Sequence, residues 1–196
     1  MKYILASQSP RRKELLGRCK ITFTIEPAKG EEQIIGDSPE EIVQNLALAK
    51  AQEIADQHRD EDVLVIGADT VVVYEEQILG KPQDKEELIS MIRSLQGNTH
   101  KVYTGVALIH AQSGQVKSFA EETKVRFFPM TEEEIISYEA TGDGYDKAGG
   151  YGIQSEAAIF IAGIEGDYNN VVGLPIARLY RELQNLVEIE QGESNV

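Results

Sequence analysis

Val63-Leu64-Val65-Ile66-Gly67-Ala68-Asp69-Thr70 is the stretch whose reading decides the fold. Four consecutive apolar residues fit a strand buried on both faces, as at the centre of an α/β sheet. Gly67-Ala68-Asp69-Thr70 ends that strand, and Thr70 to Tyr74 continues extended. In open α/β sheets ligands bind beyond the carboxyl ends of strands. A carboxylate there, flanked by small residues, can hold a metal or deprotonate a water. A turn-forming aspartate explains the same residues without any chemistry.

Working outward, strand-like and helix-like segments alternate and then strands cluster. Residues 3–6 read as a strand, 9–17 as a helix and 21–25 as a half-buried strand, followed by a polar loop over 26–37. Ser38-Pro39-Glu40-Glu41 is a capping box that opens a helix running to about Gln57. A helix over 84–95 follows. Val102–His110 and Val116–Phe128 are strands joined through Gln112-Ser113-Gly114. Thr131-Glu132-Glu133-Glu134 opens another helix, ending near Ala140. A glycine-rich loop at 142–152, a strand near 158–164, a closing helix over 174–186 and a frayed tail over 187–196 complete the chain.

The 196 residues carry a net charge of −14, yet residues 1–30 hold seven lysines and arginines against two glutamates. A small basic patch on an acidic body suits a small anionic ligand; long nucleic acid or an acidic membrane would be repelled. No apolar run approaches the roughly 20 residues that span a bilayer. The N-terminus reads as a first strand and not as a secretory signal. Cys19 is the only cysteine, so no internal disulfide forms and a cytoplasmic location is expected.

Ser9-Pro10-Arg11-Arg12-Lys13 concentrates that basic charge. Ser9 is placed as an N-cap and Pro10 as the first helical residue. Helix N-termini favour acids, so three cations there break a local rule. A bound polyanion resolves the conflict, and splaying into solvent also does. Lys81, fixed between Gly80 and Pro82, and Lys50, among small apolar residues on its helix, are further candidates for phosphate contact. Either is also explained as a surface or snorkelling lysine. Gly149-Gly150-Tyr151-Gly152 implies close backbone approach or positive φ angles, but matches neither a Walker loop nor a dinucleotide fingerprint. The three histidines are scattered and show no zinc spacing.

Together these segments resemble the Maf family. Ser7-Gln8-Ser9-Pro10-Arg11-Arg12, Gly67-Ala68-Asp69-Thr70, Leu79-Gly80-Lys81-Pro82, Asp146 to Gln154 and Gly166 to Pro175 occur in the family's order. The resemblance implies a single domain over 1–186, with a bent mixed β-sheet, flanking helices and two lobes around a cleft, as in inosine triphosphate pyrophosphatases. It implies hydrolysis of nucleoside triphosphates to the monophosphate and pyrophosphate, with Gln154 pointing to dTTP and UTP. By the same resemblance Asp69 matches the proton acceptor. Glu32, with Glu31 beside it, matches a metal-binding acid that shares magnesium or manganese with Asp69. Ser7, Arg12, Lys50 and Lys81 match phosphate contacts, and Arg11, Thr70 and Gln154 match positions tied to base choice. Ser155-Glu156 follows Gln154 where the family usually has glycine. A homodimer is implied as well. The alternative is a non-catalytic regulator of cell division that binds a nucleotide or a protein; Asp69, Lys50 and Lys81 favour the enzyme, since a pure binding module needs no positioned base.

Overall fold

The apolar run at 63–66 is the first third of one uninterrupted twelve-residue strand, β3 (Val63–Tyr74). Asp69 therefore sits in mid-strand, not at a strand end. The computed structural model describes the backbone of residues 1–193 and the side chains of residues 1–186. The frayed tail expected over 187–196 lies outside the residues described in full.

The other strands are β1 (Lys2–Leu5), β2 (Phe23–Ile25), β4 (Gln77–Leu79), β5 (Thr99–His110), β6 (Val116–Phe127) and β7 (Ile161–Glu165). They form one mixed sheet in the order β2-β1-β3-β5-β6-β7, with β4 added to the far end of β3. β1 runs parallel to β2 and β3, and the pairings β3-β5, β5-β6 and β6-β7 are antiparallel. The α/β class and the mixed sheet agree with the sequence. β4 and a five-residue helix, α5 (Tyr168–Val172), were not foreseen. The strand expected near 158–164 is a 3-10 turn over Glu156–Phe160 followed by β7.

Helices form where capping chemistry starts them. Helix α1 (Pro10–Gly17) has Ser9 as its cap, accepting the Arg12 N–H. Helix α2 (Pro39–Ala55) is capped by Ser38, which accepts the Glu41 N–H at 3.2 Å. The Glu41 carboxylate binds the N–H of Asp37 at 2.9 Å, so the expected box is displaced by one residue. Helix α3 (Lys85–Leu95) starts from Asp84, and α4 (Glu132–Ala140) has the full reciprocal box between Thr131 and Glu134. The closing helix, α6, spans Ile176–Glu193.

Both sheet faces are covered. Leu15 and Leu16 of α1 and Leu179 and Leu183 of α6 pack on Leu64, Ile66 and Leu108. On the opposite face Ala47, Ala51 and Ile54 of α2 pack on Val63, Val65, Ala107 and Ile109. Further along β3 and β5, Leu88 and Ile92 of α3 and Ile135 of α4 enclose Val72, Val102 and Val125. Among the described residues no helix is long and apolar enough to cross a membrane.

The packing of α2 is unusually close. A methyl group at Gly67 would stand 2.2 Å from the Ala47 carbonyl oxygen, and one at Gly105 would stand 2.2 Å from that of Val43. Gly105 pairs with Asp69 across the sheet. The helix backbone thus rests on two glycines where any side chain collides with main chain, which cannot rotate away. Overpacking of this kind costs about 1–3 kcal/mol. Gly105→Ala is therefore expected to destabilise the protein by about 3 kcal/mol, at the top of that range. The measurement is a lowered urea midpoint at unchanged m-value.

Candidate active site

The two edges of β3 are not equally paired. On one side β5 accompanies it from Leu64 to Val73. On the other, β1 pairs only as far as Ile66 and β4 begins only at Val72. Among the described residues, the strand between 67 and 71 has no partner on that side. Successive side chains of a strand point to opposite faces. Asp69 shares the α2 face with Gly67, and Thr70 shares the opposite face with Ala68. At this opening both faces of the sheet can be reached at once.

Lys50 lies on the α2 turn pressed against Gly67, so its ammonium reaches the Asp69 carboxylate two residues along the same face. It also pairs with Glu32 at 2.8 Å. Asp69 is only 9% exposed. Glu32 belongs to the 26–37 loop, which α2 holds down. Glu53 accepts the N–H groups of Lys29 and Gly30 at 2.8 and 2.9 Å, and Asn45 donates to the Ile35 carbonyl at 2.9 Å. The hydrogen bond from Lys50 holds the Glu32 carboxyl below its usual range against the opposing effect of burial, with Lys81 and Arg12 adding to it. Of the adjacent acids, Glu32 and not Glu31 is the one paired with Lys50.

Arg12 closes the other face. Its guanidinium donates to the Gly173 carbonyl at 2.8 Å, to Thr70 Oγ1 at 3.0 Å and to Ser7 Oγ at 3.3 Å. Thr104 Oγ1 donates to the Asn170 carbonyl and stands 2.9 Å from Thr70 Oγ1. Thr104 having spent its proton, Thr70 donates to it and is left accepting from Arg12. Burial lowers the Arg12 pKa, and Asp69 and Glu32 counter this by raising it.

The remaining candidates stand further out. Lys81 is exposed and makes no direct contact with Asp69 or Lys50, although its charge is felt at Glu32. Arg11 pairs with Asp146 at 3.2 Å, and Gln154 is exposed on the same loop as Asp146. The glycines of that loop serve internal packing. Gly149 and Gly150 have φ of 69° and 74°, and a methyl at Gly149 would meet the Val72 side chain at 2.9 Å. Ser155 donates to Asp143 at 2.6 Å. The Gly173 carbonyl that binds Arg12, and Thr104 and Asn170 standing behind Thr70, were not identified in advance. Gly173 and Asn170 lay within a quoted motif, whereas Thr104 carried no signal.

Among the described residues no three histidine, cysteine, aspartate or glutamate side chains gather to bind a metal unaided. Asp69 and Glu32, brought together by Lys50, supply two carboxylates. That donor set fits magnesium, which is commonly held by one or two carboxylates together with substrate phosphates.

An α/β sheet opened at a strand edge, with arginine, lysines and two carboxylates around the opening, is suited to a phosphorylated ligand. The comparisons with known proteins agree with that class. This chain belongs to the Maf family, matching the description "Maf-like protein" over residues 2–186. It is 52% identical to a dTTP/UTP pyrophosphatase of Agathobacter rectalis, over 93% of this chain and 96% of the relative. It is 53% identical to a dTTP/UTP pyrophosphatase of a Geobacillus species, over 93% and 97%. Among solved structures, a nucleoside-triphosphatase (dITP/XTP pyrophosphatase) of Mycobacterium abscessus aligns with a TM-score of 0.43 at 17% identity, over 65% of this chain and 74% of that one.

The Arg12 contacts need a forked guanidinium. Arg12→Lys keeps the charge but cannot serve Gly173, Thr70 and Ser7 together. Charge-assisted hydrogen bonds are worth about 1.5–3 kcal/mol each. Inorganic pyrophosphate, titrated calorimetrically, is expected to bind this variant about tenfold or more weakly than the wild type.

Proposed function

We propose that this protein is a metal-dependent nucleoside triphosphate pyrophosphatase that converts dTTP and UTP to the monophosphate and pyrophosphate. The observation that carries the reading is the contact of Lys50 with both Asp69 and Glu32 at the open edge of β3, facing Arg12. Relatives about half identical over nearly their whole length, named dTTP/UTP pyrophosphatase, support it.

In this reading the triphosphate lies along the opening. Arg12, with Ser7 and Thr70 beside it, orients phosphate oxygens from one face, and Lys50 and Lys81 approach from the other. Asp69 and Glu32 would hold a magnesium or manganese ion, which would supply positive charge against the phosphates. Asp69 accepts a proton from the attacking water, the bond between the α and β phosphates breaks, and pyrophosphate leaves with its negative charge met by Arg12 and Lys81. Positioning and electrostatics supply most of the acceleration in phosphoryl transfer. The Gln154 amide offers a donor and an acceptor to the O4 and N3–H edge of thymine or uracil, and donor-only Arg11 favours O4 over an amino group. The reading includes a single two-lobed domain over 1–186, a cytoplasmic location, a second copy of the chain as partner, and clearance of non-standard nucleotides. The acidic body disfavours nucleic acid and anionic membranes.

A panel of nucleoside triphosphates incubated with magnesium or manganese tests this. dTTP and UTP are expected to give the monophosphate and intact pyrophosphate. Orthophosphate with dTDP as first product overturns the reaction, and nucleotide binding without turnover favours the regulator. Asp69→Asn preserves shape while removing the charge needed for a base or a metal ligand. It is expected to lower turnover by about two orders of magnitude or more with the thermal transition intact; near-normal turnover would make Asp69 a structural residue only.

A further inference from the structure

The loop over 142–155 holds a chain of contacts that joins the two residues read above as facing the base. Arg11 donates to one oxygen of Asp146 at 3.2 Å, and Lys147 donates to the other at 2.7 Å. The Lys147 ammonium, its side chain only 11% exposed, also bonds the Asp143 backbone carbonyl and its carboxylate oxygen Oδ1 at 3.0 Å. The second Asp143 oxygen accepts the Ser155 hydroxyl at 2.6 Å. The Ser155 N–H closes a turn onto the Gly152 carbonyl at 3.3 Å, and Gln154 lies inside that turn. A methyl at Gly152 would stand 2.6 Å from Ser155 Oγ and 2.7 Å from Lys147 Cε, so both side chains clasp the backbone just before Gln154. Burial pushes the Asp143 carboxyl up, but the bonds from Ser155 and Lys147 outweigh it and hold the group below its usual range. The Gln154 amide itself has no protein partner among the described residues. Its frame is fixed while its reading head is free.

We propose that Ser155 and Lys147, acting through Asp143, are positioning residues that set the placement of Gln154 relative to Arg11 and thereby determine discrimination between oxo and amino pyrimidines. The inference rests on the reading of Arg11 and Gln154 as base-facing. An unassisted glutamine can rotate its amide and suit cytosine as well as thymine. Discrimination requires Gln154 and Arg11 to meet one base edge together, which a drifting loop prevents. The Ser155 hydroxyl is spent on Asp143. Its contribution is therefore to loop position and not to direct contact with the base.

The test compares kcat/KM for dTTP and CTP in the wild type, Ser155→Ala and Ser155→Thr. Ser155→Ala is expected to lower the dTTP-to-CTP ratio about tenfold, the size of one charge-assisted hydrogen bond. The change appears mainly as a raised KM for dTTP, with kcat altered by less than about twofold if only ground-state and transition-state placement of the base are lost together. Ser155→Thr, which restores the hydroxyl, recovers the ratio. Asp143→Asn, which leaves Ser155 an acceptor but removes the charge facing Lys147, shifts the ratio in the same direction. An unchanged ratio, an equal loss for both nucleotides, or no recovery in Ser155→Thr overturns the inference. A wild type that releases pyrophosphate without preferring dTTP overturns it while the reaction stands; a wild type that releases none overturns both.

Discussion

Helix α2 rests on the sheet backbone to backbone, and the arrangement of the site depends on that contact. Gly67 and Gly105 are the two positions where the helix carbonyls of Ala47 and Val43 come down on the strands. Any thicker spacing would lift Lys50 away from Asp69, since both lie on the same face within a turn of the contact. The same helix then carries the 26–37 loop through Glu53 and Asn45, and with it Glu32. Helix, strand and loop are thus registered by one steric constraint, and the three charged groups at the opening inherit their placement from it.

A second constraint comes from strand length. β3 is longer than the strands on its open edge, so β1 and β4 cover its two ends and leave the middle uncovered. The strand itself does not break, because β5 continues along its other side. This lets consecutive residues, Asp69 and Thr70, serve different faces of a single opening. The buried hydroxyl chain from Thr70 through Thr104 to the Asn170 carbonyl fixes which way the Thr70 lone pair points, and Arg12 is oriented by it.

Much of this was legible in the sequence because it depends on local chemistry. Ser9, Ser38 and Thr131 cap helices as side-chain oxygens before helical residues do. The long β5-β6 hairpin follows from two strand-like runs around Gln112-Ser113-Gly114. What the sequence concealed depends on distant partners. Gly67 and Asp69 read as the end of a strand because small and polar residues end strands in solvent. Here the glycine answers to a helix packed on it, and the aspartate to a lysine 19 residues earlier. β4 and α5 are too short to show a period. The glycines at 149 and 150 read either as a place for close approach to a ligand or as positive-φ positions; the second holds, with φ of 69° and 74°, and their neighbours are Val72 and Leu88. The tie between Arg12 and Gly173 spans 161 residues, and no spacing rule reaches that far.

The basic opening on a strongly acidic body has a consequence for encounter with an anion. At about 0.01 M salt the Debye length is about 30 Å, so an approaching polyphosphate feels the whole charge of the molecule and is turned away. At about 0.15 M it falls to about 8 Å, and the distant carboxylates fade while Arg12, Lys50 and Lys81 remain within range. Added salt should first hasten association and only later compete with it, the reverse of the usual trend for a cationic site. Ionic strength thereby acts as a gate on who reaches the opening, set by the bulk of the surface and not by the residues that line it.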